Sequence, residues 1–278
     1  MRNFTSVKRA GIRIIIPALS ILLILFFICR NLSLFGKSSG EYGVFLGLNG
    51  NELSHLADYR IVVIEPAEFT TEQIDMLHKE GKTVYAYLNI GALEDFRPYY
   101  DRFSDRMLDP YEGWPEEHWM DVTDGEWQDL IAELGENYAH TGYDGFFLDN
   151  ADVYYHYPSE DVFHSLCSVL ERLKKYGVTL IINGGDSFVT RSIDEGVASA
   201  LFDGINQESV FTDISSENGL ALADTTAYYQ EYLQAVHDSG LSVYLLEYRA
   251  DAALSYKIDA YCRQNGFLWY NADSLELR

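Results

Sequence analysis

From Tyr42 onward, short apolar runs rich in Val, Ile, Leu, Tyr and Phe alternate with longer segments whose apolar residues recur at helical spacing. Runs of this kind suit strands buried on both faces, and the segments between them suit amphipathic helices, so the chain reads as repeated β-α units around a parallel sheet. Eight strands are predicted, at 42–48, 60–65, 83–89, 145–149, 178–182, 202–206, 242–247 and 267–271. Helices are predicted at 71–80, 125–140, 159–176, 187–198, 221–239 and 251–265, with a short one near 51–57. Eight evenly repeated strands match a closed (β/α)8 TIM barrel better than an open doubly wound sheet. The last helix is expected to be missing or vestigial, because few residues follow the eighth strand. The connection after the third strand, 90–124, is far longer than an ordinary βα loop and is rich in aromatic residues.

The N-terminus follows a different pattern. Arg2, Lys8, Arg9 and Arg13 precede an apolar run from Ile14 to Cys29, and Arg30 follows it. Large residues before Cys29, and the lack of a small-x-small pair soon after the run, favour an uncleaved signal anchor. Basic residues ahead of the run place the N-terminus in the cytoplasm and the rest of the chain outside. Three parts are expected: basic residues and a transmembrane anchor at 1–30, a linker at 31–41, and a barrel at 42–278.

Beyond position 40, 14 basic residues face 43 acidic ones, a net charge of −29. Such a surface excludes nucleic acid and anionic membranes as partners; it either serves solubility or collects a cationic substrate. Three cysteines, one of them in the apolar run, make no disulfide framework, and no His or Cys pair has metal-ligand spacing. No metal or cofactor is expected.

In a TIM barrel the chemistry gathers at the C-terminal ends of the strands. Here those ends carry carboxylates and amides: Asn49, Glu65, Asn89 with Glu94, Asp149-Asn150 with Asp152, Asn183, Glu208, Glu247 and Asn271. Cleavage of a glycosidic bond needs one carboxyl group as acid and a second as nucleophile or base, which Asp149 and Glu208 can supply. Asn89, Asn150 and Asn183 can bond sugar hydroxyls, and Trp114, Trp119, Tyr154 or Tyr248 can stack on a sugar face.

Three stretches carry a resemblance: Val-Tyr-Ala-Tyr-Leu-Asn-Ile-Gly-Ala-Leu-Glu at 84–94, Gly-Trp-Pro followed by Trp-Met-Asp within 113–121, and Tyr-Asp-Gly-Phe-Phe-Leu-Asp-Asn-Ala-Asp at 143–152. Together they resemble glycoside hydrolase family 114, the endo-α-1,4-polygalactosaminidases, over about Gly43 to Ala272. The resemblance implies extracellular hydrolysis of an α-1,4-linked galactosamine polymer of biofilm or cell-surface type, cationic where it is partly deacetylated. It implies Asp149 as nucleophile and Glu208 as acid/base, with the reverse assignment open. It also implies Glu94, Arg97, Asp144, Asn150, Asp152 and Asn183 as binding or supporting residues, beside Asn89, Trp114, Tyr154, Glu247 and Tyr248 from the strand-end reading. The alternatives are a non-catalytic polysaccharide-binding or biosynthesis-complex barrel, and a glycosidase of another cell-surface glycan.

Overall fold

Eight of the apolar runs pair side by side in one parallel sheet, in the computed structural model, which describes residues 40–278 apart from 113, 214 and 216–218. The expected anchor, and all but the end of the expected linker, lie outside the described residues. Among the described residues no helix is long and apolar enough to cross a membrane. In chain order the strands are β1 (Tyr42–Phe45), β2 (Ile61–Ile64), β3 (Thr83–Asn89), β4 (Ala92–Glu94), β5 (Met107–Pro110), β6 (Glu117–Met120), β7 (Gly145–Asp149), β8 (Thr179–Asn183), β9 (Gly204–Glu208), β10 (Ser242–Tyr248) and β11 (Leu268–Ala272). The large sheet runs β1-β2-β3-β7-β8-β9-β10-β11. It curls until its first and last strands lie near each other: the Phe45 and Tyr270 rings stand 5.2 Å apart, and the Gly47 N–H donates to the Leu277 carbonyl at 3.1 Å. The result is a nearly closed TIM barrel.

The strands bury both faces because helices cover the outside while side chains fill the inside. Val62, Val63, Phe146, Leu148, Ile182 and Ile205 have no exposed surface. The helices start where polar caps satisfy their free N–H groups. Thr70 and Gln73 form a reciprocal capping box on Thr71–Lys79. Asp124 accepts from the Glu126 and Trp127 N–H groups at the start of Gly125–Thr141, and Ser159 and Asp251 cap Glu160–Lys174 and Ala252–Asn265. Left-handed Gly142 and Gly266 end two of them. Only a short 3-10 turn, Leu53–Leu56, follows β1, and no helix follows β11 among the described residues.

The expected helix at 187–198 is divided into Asp186–Asp194 and Ala198–Leu201, with Gly196 left-handed between them. Phe202 then ends the second piece, which moves β9 two residues later than its apolar pattern suggests. The long connection after β3 folds into its own antiparallel sheet, β4-β6-β5, pairing Ala92 with Trp119 and Glu94 with Glu117. It leans on the barrel through Trp127, whose indole N–H donates to the Ile90 carbonyl at 3.0 Å. Gly91 is required here, because a Cβ would stand 1.9 Å from the Asn150 carbonyl oxygen.

Candidate active site

The register of the strands decides what meets at the barrel mouth. Asn89 of β3 lies opposite Asp149 of β7, and Asn183 of β8 lies opposite Asn206 of β9. Glu208 of β9 lies opposite Leu246 of β10. Polar residues at strand tips therefore share a level, around a cleft of about 800 Å³ at the C-terminal end of the barrel. Directly after Asp149, Glu208 and Tyr248, the residues Asn150, Ser209 and Arg249 take φ of 65°, 55° and 52°. Left-handed backbone in a residue with a side chain costs roughly 1–2 kcal/mol each. The strain at these three tips turns the chain sharply away and leaves the preceding side chains facing the cleft.

The two catalytic candidates are clasped by one amide. The Asn183 side-chain nitrogen donates to Asp149 Oδ1 at 2.9 Å and to Glu208 Oε1 at 2.8 Å. An amide splays its two N–H bonds by about 120°, so straight bonds hold these oxygens roughly 5 Å apart. The clasp cannot be turned over, because Asn183 Oδ1 accepts from Asn206 Nδ2 at 2.7 Å, and Asn206 Oδ1 in turn accepts from the Tyr42 hydroxyl at 3.0 Å. Asn206 and Tyr42 are buried. Each carboxylate has a further phenol: Tyr87 donates to Asp149 Oδ2 at 2.7 Å and Tyr248 to Glu208 Oε2 at 2.5 Å. Burial and the neighbouring carboxylates push both phenols up, so they remain donors. Burial, then the charge of Glu208, pushes Asp149 up to about 7, against the hydrogen bonds from Asn183 and Tyr87 that favour its ionised form.

The walls are acidic. Glu65, Glu68, Glu94, Glu116, Glu117 and Asp152 line the cleft beside Asp149 and Glu208, with Arg97 and Arg278 as the cations. Both cations are engaged: Arg97 is held between Glu65 and Glu94 at 3.0 and 2.9 Å, and Arg278 pairs with Glu52 at 2.9 Å. Asp152 accepts from the Gly185 N–H at 3.0 Å, and burial raises it to about 6. Gly184 and Gly185 are both left-handed, and a Cβ on Gly184 would stand 2.7 Å from Asp152 Oδ2. This pair makes room for a carboxylate.

Residues 39–274 match the profile of glycoside-hydrolase family GH114. The chain belongs to glycoside hydrolase family GH114. It is 24% identical over 262 residues to an uncharacterized protein of Thermotoga maritima, across 84% of this chain and 78% of that one. Its fold is similar to the glycoside hydrolase domain of PelA from Pseudomonas aeruginosa, with TM-score 0.71 and 18% identity over 85% of this chain and 96% of that domain. It is also similar to Aspergillus fumigatus Ega3, solved in complex with galactosamine, with TM-score 0.66 and 16% identity over 87% and 94% of the two chains.

In this GH114 hydrolase most of the expected site residues do converge. Asp149, Glu208, Glu94, Arg97, Trp114, Asn150, Asp152, Asn183 and Tyr248 line the cleft. Asn89 lies just behind it, donating to Glu117 at 2.7 Å and accepting from the Ala92 N–H at 2.8 Å.

Four expected residues lie elsewhere. Asp144 precedes β7 and so stands at the opposite end of the barrel, bonded to the Val84 N–H and to His78. Tyr154 packs on Phe163 and takes a hydrogen bond from Arg191. Glu247 alternates with Leu246 and Tyr248, both of which line the cleft, so it points the other way. It is buried, and its oxygens accept from the Val210, Phe211 and Thr212 N–H groups and the Thr212 hydroxyl, fastening the loop after Glu208. Trp119, an expected stacking ring, is buried on Tyr111, ring centroids 4.4 Å apart.

Glu117 and Asn206 are the residues the sequence reading missed. Glu117 lies within the Gly-Trp-Pro to Trp-Met-Asp stretch, whose strand character three or four residues cannot announce. The apolar pattern makes Asn206 the last residue of its strand, whereas the structure makes it a buried link between Asn183 and Tyr42.

Proposed function

We propose that this GH114 enzyme cleaves α-1,4-linked, partly de-N-acetylated galactosamine polymer by double displacement, with retention of the anomeric configuration. The observation that carries the proposal is the Asn183 clasp, which holds Asp149 and Glu208 at roughly the 5–5.5 Å spacing of a nucleophile and acid/base pair, too close to admit water between them. Asp149 has three donors on its two oxygens, from Tyr87, Asn183 and the Asn150 N–H, which suits an ionised nucleophile. It attacks the anomeric carbon. Glu208 gives its proton to the departing glycosidic oxygen, then removes one from the water that hydrolyses the glycosyl-enzyme ester.

Substrate choice follows from charge. A cleft whose cations are already paired, on a domain of strongly acidic composition, attracts a polymer of amino sugars. The solved complex of Ega3 with galactosamine supports the same sugar. Cleavage takes place outside the cell, with 1–30 as an uncleaved anchor and 31–41 as the tether.

Reducing-end release from the amine-bearing polymer, followed against pH with the full chain, tests the reading. Asp149 must lose its proton to attack while Glu208 keeps its own, so kcat/KM is bell-shaped, rising as the clasped pair loses one proton and falling as it loses the second. Bound ammonium groups favour the ionised carboxylate, so the corresponding rise in kcat falls at lower pH. No release at any pH, with the polymer still bound, would identify a binding barrel instead. Release from another cell-surface glycan alone would replace the substrate.

A further inference from the structure

Glu117 is a carboxylate with no cation in hydrogen-bond contact, joined through Asn150 to Asp149. The β4-β6 pairing brings it opposite Glu94, which adds negative charge, while Arg97 is held in bonds to Glu94 and Glu65. Its hydrogen-bond partners are neutral: Asn89 and Asn150 each donate to Oε1 at 2.7 Å. With both amides on Oε1, Oε2 is the oxygen turned to the cleft that Glu117 lines. The link to the chemistry is one residue long, since the Asn150 backbone N–H donates to Asp149 Oδ1 at 3.0 Å. A half-buried carboxylate is ordinarily paired, because desolvating an unpaired charge is costly. Burial, with Glu94 nearby, raises Glu117 to about 7, so a cation arriving there is met by an acid ready to ionise.

We infer that Glu117 is the specificity residue for the amine on C2 of the sugar whose C1 is attacked by Asp149. C2 is bonded to C1, and Asn150 joins Glu117 to the carboxylate that attacks C1, its backbone N–H on Asp149 and its side-chain amide on Glu117. An ammonium there gains a charge-assisted bond to Oε2 and supplies the direct cationic partner that Arg97, bonded to Glu65 and Glu94, does not. An N-acetyl group brings bulk, an amide and no charge. The other cleft carboxylates are less suited: Glu65 and Glu94 are paired with Arg97, Asp149 and Glu208 carry the reaction, and Glu68 and Glu116 lie at the exposed rim. Asp152 is held by the Gly185 N–H.

This inference rests on the proposed reaction, and the experiment separates the two. The full chain and its Glu117→Gln and Glu117→Asp variants are assayed on two polymers of the same linkage, one largely de-N-acetylated and one fully N-acetylated. Glutamine keeps an oxygen for Asn89 and Asn150 but removes the charge. Expected for Glu117→Gln is a rise in KM of about tenfold to a hundredfold on the amine polymer, the loss of one charge-assisted bond, with kcat changed only a few-fold. KM on the N-acetylated polymer stays within about twofold, and Glu117→Asp restores part of the preference for amine. A KM that rises equally on both polymers, or on neither, overturns the inference while leaving the reaction standing. Wild-type protein that cleaves neither polymer overturns the proposed reaction and the inference together.

Discussion

In Asp149→Asn protein turnover is lost, with kcat lower by at least about 10³-fold, while amine-bearing polymer still binds. An asparagine can neither attack the anomeric carbon nor hold the charge that three donors are aimed at. Glu208→Gln loses comparable turnover on polymer because it cannot protonate the leaving oxygen. The two differ on an activated substrate. With an aryl α-galactosaminide whose leaving group needs no proton, Glu208→Gln retains the first step and releases a burst of phenol, and Asp149→Asn does not. Single-turnover kinetics reads the difference. A burst in Asp149→Asn and none in Glu208→Gln would reverse the roles.

Asn183→Ala has the second-largest expected effect. Its loss removes two donors at once, frees Asp149 and Glu208 to repel each other, and leaves the Asn206 amide without its acceptor. We expect kcat to fall by about 10²-fold with KM little changed, as for loss of a fixed charge-stabilising donor. The pH profile moves as well. The Asn183 bond favours ionised Asp149, so removing it raises the Asp149 pKa further and shifts the rise in kcat/KM to higher pH. Tyr42→Phe, two bonds away, should give a weaker version of the same shift by letting the Asn206 and Asn183 amides turn over. A variant with lower kcat and an unmoved pH profile would reduce Asn183 to packing.

Much of this architecture was legible because it depends on local pattern. Buried parallel strands announce themselves as apolar runs, and polar caps such as Thr70, Asp124, Ser159 and Asp251 mark where helices start. The rule that barrel chemistry gathers at C-terminal strand ends then led to Asp149, Asn183 and Glu208. Where the reading failed, the missing information was orientation or distance. Glu247 stands at a strand tip, and only two-residue alternation against Leu246 and Tyr248 shows that it faces away from the cleft. Asp144 is adjacent to the same strand as Asp149 but precedes it, which puts it at the other mouth.

Other parts were beyond any local signal. Glu117 reaches the cleft through pairing between β4 and β6, segments joined by more than twenty residues of turns and short elements. The Tyr42–Asn206–Asn183 chain joins three strands spread over most of the sequence. The carboxylate spacing follows from a single amide shared by neighbouring strand tips, a property of register and rotamer that composition does not encode.

The most direct measurement is proton NMR of the anomeric signals during the first minutes of hydrolysis of an α-1,4-galactosamine oligomer, before mutarotation mixes them. The clasped pair predicts that the new reducing end appears first as the α anomer, with β growing in later as the sugar equilibrates. A β anomer formed first would contradict the account, since it requires a water between carboxylates about 6.5–9.5 Å apart, which the shared Asn183 amide does not allow.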